Sequence, residues 1–187
     1  SVLSVISIYE KDTKVYEALL SLVSAALDER SQSVLHPSFV EIAKQISSDE
    51  FCILRRLYEK DQPYPLITLR VRFLASGGEA VLFRHFSLLH KDISGLSCCR
   101  ADDIPVLLDN LDRLKLIDVC ENRKITDDNQ YQPLINDEFI VAKKETVKLK
   151  DGMEWKVHKT YFELTDFGRR FCQLCVCGDG VTDKSST

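Results

Sequence analysis

The chain has 187 residues, 44% of them apolar and 29% charged, which is the composition of an ordinary globular domain and excludes a disordered or fibrous chain. No run approaches the roughly 18 consecutive apolar residues of a membrane-spanning helix. A formal net charge of −4 gives no general attraction to nucleic acid or to an anionic membrane surface, so any such binding needs a local basic patch.

Seven cysteines (Cys52, Cys98, Cys99, Cys120, Cys172, Cys175 and Cys177) are an odd, scattered set with no signal peptide ahead of them. Reduced thiols in a cytoplasmic protein are expected. The sequence opens Ser1-Val2-Leu3, and its only Met is Met153, so a segment upstream of Ser1 is left open.

In chain order, residues 14–29 place Val15, Leu19, Leu22, Val23 and Ala26 on one helical stripe, with Tyr16, Leu20 and Leu27 as a second apolar edge. A polar connector follows. Pro37 suits the first turn of a second helix whose apolar face is Phe39, Ile42, Ala43 and Ile46. Ser47 with Glu50 is a capping box, opening a helix to about Lys60 that buries Phe51, Leu54 and Leu57. Gln62-Pro63-Tyr64-Pro65 ends it, and the β-prone run from Leu66 to Phe73 reads as a strand.

After the Ser76-Gly77-Gly78 turn, residues 80–90 read as a helix with Leu82, Phe83, Phe86 and Leu89 inward. Asp102 or Asp103 caps the next helix, which carries Ile104, Leu107, Leu108, Leu111 and Leu114 at helical spacing. Residues 117–120 read as a short strand and 121–137 as a long exposed loop. Residues 139–149 and 153–164 are predicted to be two strands of a hairpin around Asp151-Gly152. A helix over 165–177 closes the fold, and 178–187 reads as a flexible tail.

The expected fold is therefore α+β and mainly helical: a winged-helix-like core with a β-hairpin wing, an N-terminal helical layer and a C-terminal helix. The layer spans 1–46, the winged-helix-like domain with its closing helix 47–177, and the tail 178–187.

Several stretches resemble one bacterial family. Leu35-His36-Pro37-Ser38-Phe39-Val40 through Ser47, the Pro65-Leu66-Ile67 strand start, Asn110-Leu111-Asp112-Arg113-Leu114-Lys115-Leu116-Ile117 and Leu164-Thr165-Asp166-Phe167-Gly168-Arg169-Arg170-Phe171 are similar to motifs of the abortive-infection alpha (Abi-alpha) family. The resemblance covers roughly residues 15 to 177. It implies a bacterial cytoplasmic protein associated with phage defence, and it carries over no catalytic residues. The Lys115 position is commonly Gly in such motifs, so a different turn is expected at this helix end.

Cys172-x-x-Cys175-x-Cys177 could ligate zinc, with Cys120 or a His as fourth ligand. Its spacing is unlike paired Cys-x-x-Cys knuckles, and small buried thiols are expected instead, with no metal and no cofactor. Cys98-Cys99 is weaker still. His36 could act as a general base, but no Ser, Cys or carboxylate partner is implied near it, and a structural place at a helix start is expected. His85 and His90 are five apart and share no helical face. Gly77-Gly78 lacks the rest of a phosphate-binding loop, and nothing argues for an enzyme.

Charge bears on the partner class. The helix over 102–116 carries Asp102, Asp103, Asp109 and Asp112 against Arg113 and Lys115, which weighs against docking in a DNA groove. The expected wing carries Lys143, Lys144, Lys148, Lys150, Lys156 and Lys159 against Glu145, Asp151 and Glu154. These lysines are the candidate nucleic-acid contacts, with a merely solvated basic face as the blander reading. The expectation is a non-enzymatic interaction module of abortive-infection type that binds a protein partner or itself. The alternative is a nucleic-acid-binding winged helix using the basic wing.

Overall fold

Strand-forming and helix-forming segments alternate along the chain, and the computed structural model describes residue 20 and residues 36–93 and 100–176. The helix expected over 14–29, the Cys98-Cys99 loop, Cys177 and the tail lie outside the described residues. Contacts divide the chain into two units: Ser1–Asp61 with Asn110–Ile117 and Leu164–Thr187, and Gln62–Asp109 with Asp118–Glu163.

In the first unit, α1 (Phe39–Ala43) buries Phe39, Ile42 and Ala43 as the apolar spacing implies, with Ser38 at its N-cap. The Ser47–Glu50 capping box opens α2 (Ser48–Lys60), which buries Phe51, Ile53, Leu54 and Leu57. Glu50 is itself buried, and its carboxylate accepts hydrogen bonds from Ser47 N (2.6 Å), Ser47 Oγ (2.8 Å) and Asn110 Nδ2 (2.6 Å). A buried carboxylate with three donors avoids the cost of an unpaired charge, so the cap also ties residue 110 to the start of α2.

The closing segment is α7 (Asp166–Phe171), which continues into a π-helical turn over Cys172–Val176. Thr165 caps it by accepting from Gly168 N (2.9 Å), while its hydroxyl donates to the Lys115 carbonyl at 2.6 Å. Lys115 holds φ +59°, the left-handed conformation that glycine adopts without strain. The turn that a glycine would make is thus present in spite of the lysine. A Cβ on Gly168 would overlap the Leu116 carbonyl, so glycine is required there for this approach. Phe39 and Phe51 both pack against Phe171, with ring centroids 5.4 and 6.2 Å away.

The second unit is built on β1 (Tyr64–Phe73), β2 (Glu79–Phe86) and β4 (Met153–Leu164), with β3 (Ile117–Val119) completing a four-stranded antiparallel sheet in the order β2-β1-β4-β3. The fold is α+β. Strands β1 and β4 pair without interruption from Tyr64↔Phe162 to Phe73↔Met153. One sheet face supplies Ile67, Phe83, Phe86 and Val157 to a core completed by Tyr131, Leu134, Phe139 and Ile140.

Two expectations are corrected. Residues 80–86, read as helix, belong to β2, and helix resumes only in the short α3 (Leu89–Asp92). The helix-like spacing of Phe83 and Phe86 arises because the register steps from Leu69↔Phe83 to Ile67↔Phe86, three residues against two. A β-bulge inserts the extra residue, so the two aromatics face one side three apart.

The second correction removes the expected wing. Residues 138–145 form α6 (Glu138–Glu145), capped by Asp137 accepting from Phe139 N at 2.9 Å. Asp151-Gly152 is a turn, but the strand after it pairs with β1 and not with the segment before it. The apolar run at 139–142 tolerates either structure, and the Asp137 cap decides for helix.

The long loop expected over 121–137 also holds more structure than its composition suggests. It contains a 3-10 turn (Asp128–Tyr131) and α5 (Gln132–Ile135). Tyr131 is fully buried; its hydroxyl donates to Thr160 O (2.9 Å) and accepts from Ile125 N (2.8 Å). Helix α4 (Ile104–Arg113) buries Ile104, Leu108 and Leu111, and Leu107 and Leu114 at its end are half-buried.

This packing sets the expected cost of three substitutions. Leu111 is 0% exposed, so Leu111→Ala costs about 2–5 kcal/mol in denaturant unfolding. Gly168→Ala forces the Leu116 carbonyl to move and costs about 1–3 kcal/mol. Lys115→Gly relieves a left-handed non-glycine residue and stabilises by up to about 1 kcal/mol; a destabilising Lys115→Gly would show the turn to be held otherwise.

Candidate functional site

Three of the six lysines that the sequence suggests as phosphate contacts are paired with acids. Lys143 lies on α6, pairs with Asp102 at 3.0 Å, and sets its ammonium over the Phe139 and Phe83 rings, 4.9 and 5.3 Å from their centroids. Lys156 on β4 pairs with Glu79, and Lys159 pairs with Asp128 at 2.5 Å. The hydrogen bond from Lys156, then that from Arg70, holds the Glu79 carboxyl below its ordinary range. Lys159, then Lys124, does the same for Asp128. Such pairs contribute above the unfolded carboxylate pKa and are lost as pH falls through the lowered folded value. Lys144 is half-buried on α6, while Lys148 and Lys150 are on the segment leading to the Asp151-Gly152 turn and are exposed.

The acidic character of α4 is likewise balanced locally. Asp102 meets Lys143 (3.0 Å), and Asp103 accepts from the Arg100 backbone N–H (3.0 Å). Asp112 pairs with Lys115 (3.2 Å), and Asp109 lies 3.5 Å from His85 Nδ1. Early in α4 the side chain presented to solvent is apolar: Val106 is 68% exposed.

The most constrained polar group in the second unit is His85, whose five-residue spacing from His90 offers no shared helical face. It lies on β2 with φ +52°, beside the register shift that separates Phe83 from Phe86. That geometry puts its backbone N–H 3.5 Å from Thr68 Oγ1 of β1. Its ring lies between Glu121, 3.0 Å from Nε2, and Asp109. His158 of β4 reaches the same segment, its Nε2 2.8 Å from Glu121 O. Bulges commonly re-aim a side chain in this way. The signal in the sequence is faint: histidine is among the few residues enriched at positive φ, but nothing local marks the bulge.

A second cluster surrounds Cys120. Its Sγ lies 3.3 Å from Asp118 Oδ2 and 3.1 Å from an Arg123 guanidinium nitrogen, and Arg123 sits 5.7 Å over the Tyr161 ring. Burial pushes the Cys120 thiol up, and burial followed by the charge of Cys172 pushes Cys175 up further. Cys172 points Sγ at the Leu54 carbonyl, 3.8 Å away. Among the described residues, no group of three or more His, Cys, Asp or Glu is placed to hold a metal ion. His36 has a Ser partner after all, its Nδ1 2.6 Å from Ser38 Oγ. The same nitrogen faces Ser38 N at 3.2 Å, and the ring stacks edge-on against Phe167 at 5.3 Å, an arrangement that seats the start of α1.

Because the thiolate is the reactive species, Cys120 and Cys175 should resist alkylation at neutral pH in the native protein and react once it is denatured. Rapid native labelling of either, read by mass spectrometry, would contradict this assignment.

Among the described residues, no helix is long and apolar enough to cross a membrane. No curated protein matches the chain. Among solved structures, an uncharacterized protein from the hydrocarbon-degrading marine bacterium Alcanivorax borkumensis SK2 is similar at 18% identity, with a TM-score of 0.47 over 73% of this chain and 90% of that one. The family model described as abortive infection alpha matches residues 2–175, which include the His36-Pro37-Ser38-Phe39 and Leu164-Thr165-Asp166-Phe167-Gly168 stretches that seat α1 and α7. The chain belongs to the abortive infection alpha family.

Proposed function

We propose that this chain is a non-enzymatic interaction module acting in phage defence in the bacterial cytoplasm, and that it binds a protein partner or a second copy of itself. Family membership supports the defence context. The observation that carries the choice of protein over nucleic acid is the local charge balance: half of the candidate lysines are held by Asp102, Glu79 and Asp128. A free lysine that neutralises a phosphate releases the counterion condensed there, and a lysine already paired with a carboxylate contributes little to this. The exposed Val106, on a helix that carries Asp109 and Asp112, suits a protein contact better than a phosphate backbone.

A winged-helix relationship is read from element order alone. Helix α4 precedes β3, and β4 lies between β1 and β3, the strand order of a winged helix. The wing's place is then taken by residues 120–152. Nucleic-acid binding keeps one specific support, the group of Lys144, Lys148 and Lys150, which no acid among the described residues holds.

A low-salt gel shift decides between the two. We expect no micromolar binding. If binding occurs through these three lysines, its log–log salt slope should be about −2.7, and changing all three to Glu should abolish it. For the protein reading, Val106→Asp should leave stability within about 0.5 kcal/mol. It should also remove either self-association, read by light scattering, or a partner recovered from phage-infected cells. Salt-sensitive DNA binding together with an indifferent Val106→Asp would reverse the assignment.

A further inference from the structure

We propose that His85 is a proton-operated clasp that joins α4 to the segment following β3. Its side chain is only 9% exposed, yet Nδ1 has no hydrogen-bond partner while Asp109 Oδ1 waits 3.5 Å away. Nε2 donates to Glu121 Oε1 at 3.0 Å. A neutral imidazole has one N–H and serves one carboxylate; only the imidazolium donates to both. Protonation therefore converts the Asp109–His85 approach into a charge-assisted hydrogen bond and completes a bridge from Asp109 through the ring to Glu121.

The surroundings hold the backbone at His85 and at Glu121. Thr68 meets its backbone from β1, and His158 meets the Glu121 carbonyl from β4. The positive φ of His85 is a backbone conformation that costs energy and marks the position as constrained. A metal ion does not explain the cluster, because the two carboxylates approach opposite ring nitrogens and one ion cannot serve both. When Nδ1 gives up its proton, Asp109 faces a lone pair and turns to solvent, where its side chain is already 72% exposed. Because only the charged ring makes both bonds, the clasp depends on the ring's protonation and is not a fixed bond. A bond that only the charged ring can make stabilises the fold at acid pH and is lost as pH rises through the titration.

The test compares the full chain with Asp109→Asn by thermal melting between about pH 5.5 and about pH 8. The Asn amide can donate to the bare Nδ1, so that variant keeps both bonds when the ring is neutral. We expect the unmodified protein to lose about 2–4 °C more in Tm than the variant across this range. Nitrogen NMR of the histidine rings should show Nδ1 of His85 protonated at the acid end and bare at the other, assigned by its absence in His85→Asn. Glu121→Gln should move the His85 titration to lower pH. Parallel melting curves for the two proteins, or a Glu121→Gln chain with an unchanged His85 titration, would overturn the clasp. If His85→Asn does not fold, the Glu121→Gln spectra supply the assignment and separate the same two outcomes.

Discussion

The uninterrupted pairing of β1 with β4 is the constraint on which the second unit rests. It joins residues 64–73 to residues 153–162 in one antiparallel register, and a slip of one residue would turn Ile67, Leu69 and Val71 away from the core. Specific bonds then hold Cys120 and Tyr131 to β4. Tyr131 reaches across to Thr160, the Thr160 hydroxyl donates to the Cys120 carbonyl, and the Cys120 N–H donates to Tyr161. Residues 120–131 are therefore pinned at several points, although 121–137 has the composition of an exposed loop.

Strand β2 shows how a small irregularity acquires consequences. Its bulges break the regular alternation, put Phe83 and Phe86 on the core face, and leave His85 to turn toward Thr68 and Glu121. They also make this outer strand of the sheet a poor template for an added strand, since a bulged edge does not offer an even row of donors and acceptors. The same irregularity that protects the edge creates the site where one buried ring meets two carboxylates.

Charge is organised by pairing across elements. Lys143 with Asp102, Lys156 with Glu79 and Lys159 with Asp128 each match residues distant in sequence. Exposed pairs of this kind add little stability. Their larger effect is on recognition, because they remove the basic and acidic fields that the separate segments would carry. Among the described residues these three pairs leave their segments with less net charge than the sequence alone suggests.

What the sequence by itself determined is whatever depends on neighbours within a few residues. The Ser47–Glu50 box, the apolar stripe of α4, the strand from Leu66 and the helix after Thr165 all declare themselves through caps and periodicity, and the structure has each of them. The family motifs were readable too, and the structure gives some of them a cause: Gly168 stands where a side chain would strike the Leu116 carbonyl. Tertiary structure decided the rest. A bulge spaces two aromatics as a helix would, so residues 80–86 carry a misleading period. The apolar run at 139–142 fits strand or helix, and it is helix here, with Ile140 in the core against the sheet. Whether a lysine is free or paired depends on which acid the fold brings to it, and such a partner leaves no local trace in the sequence.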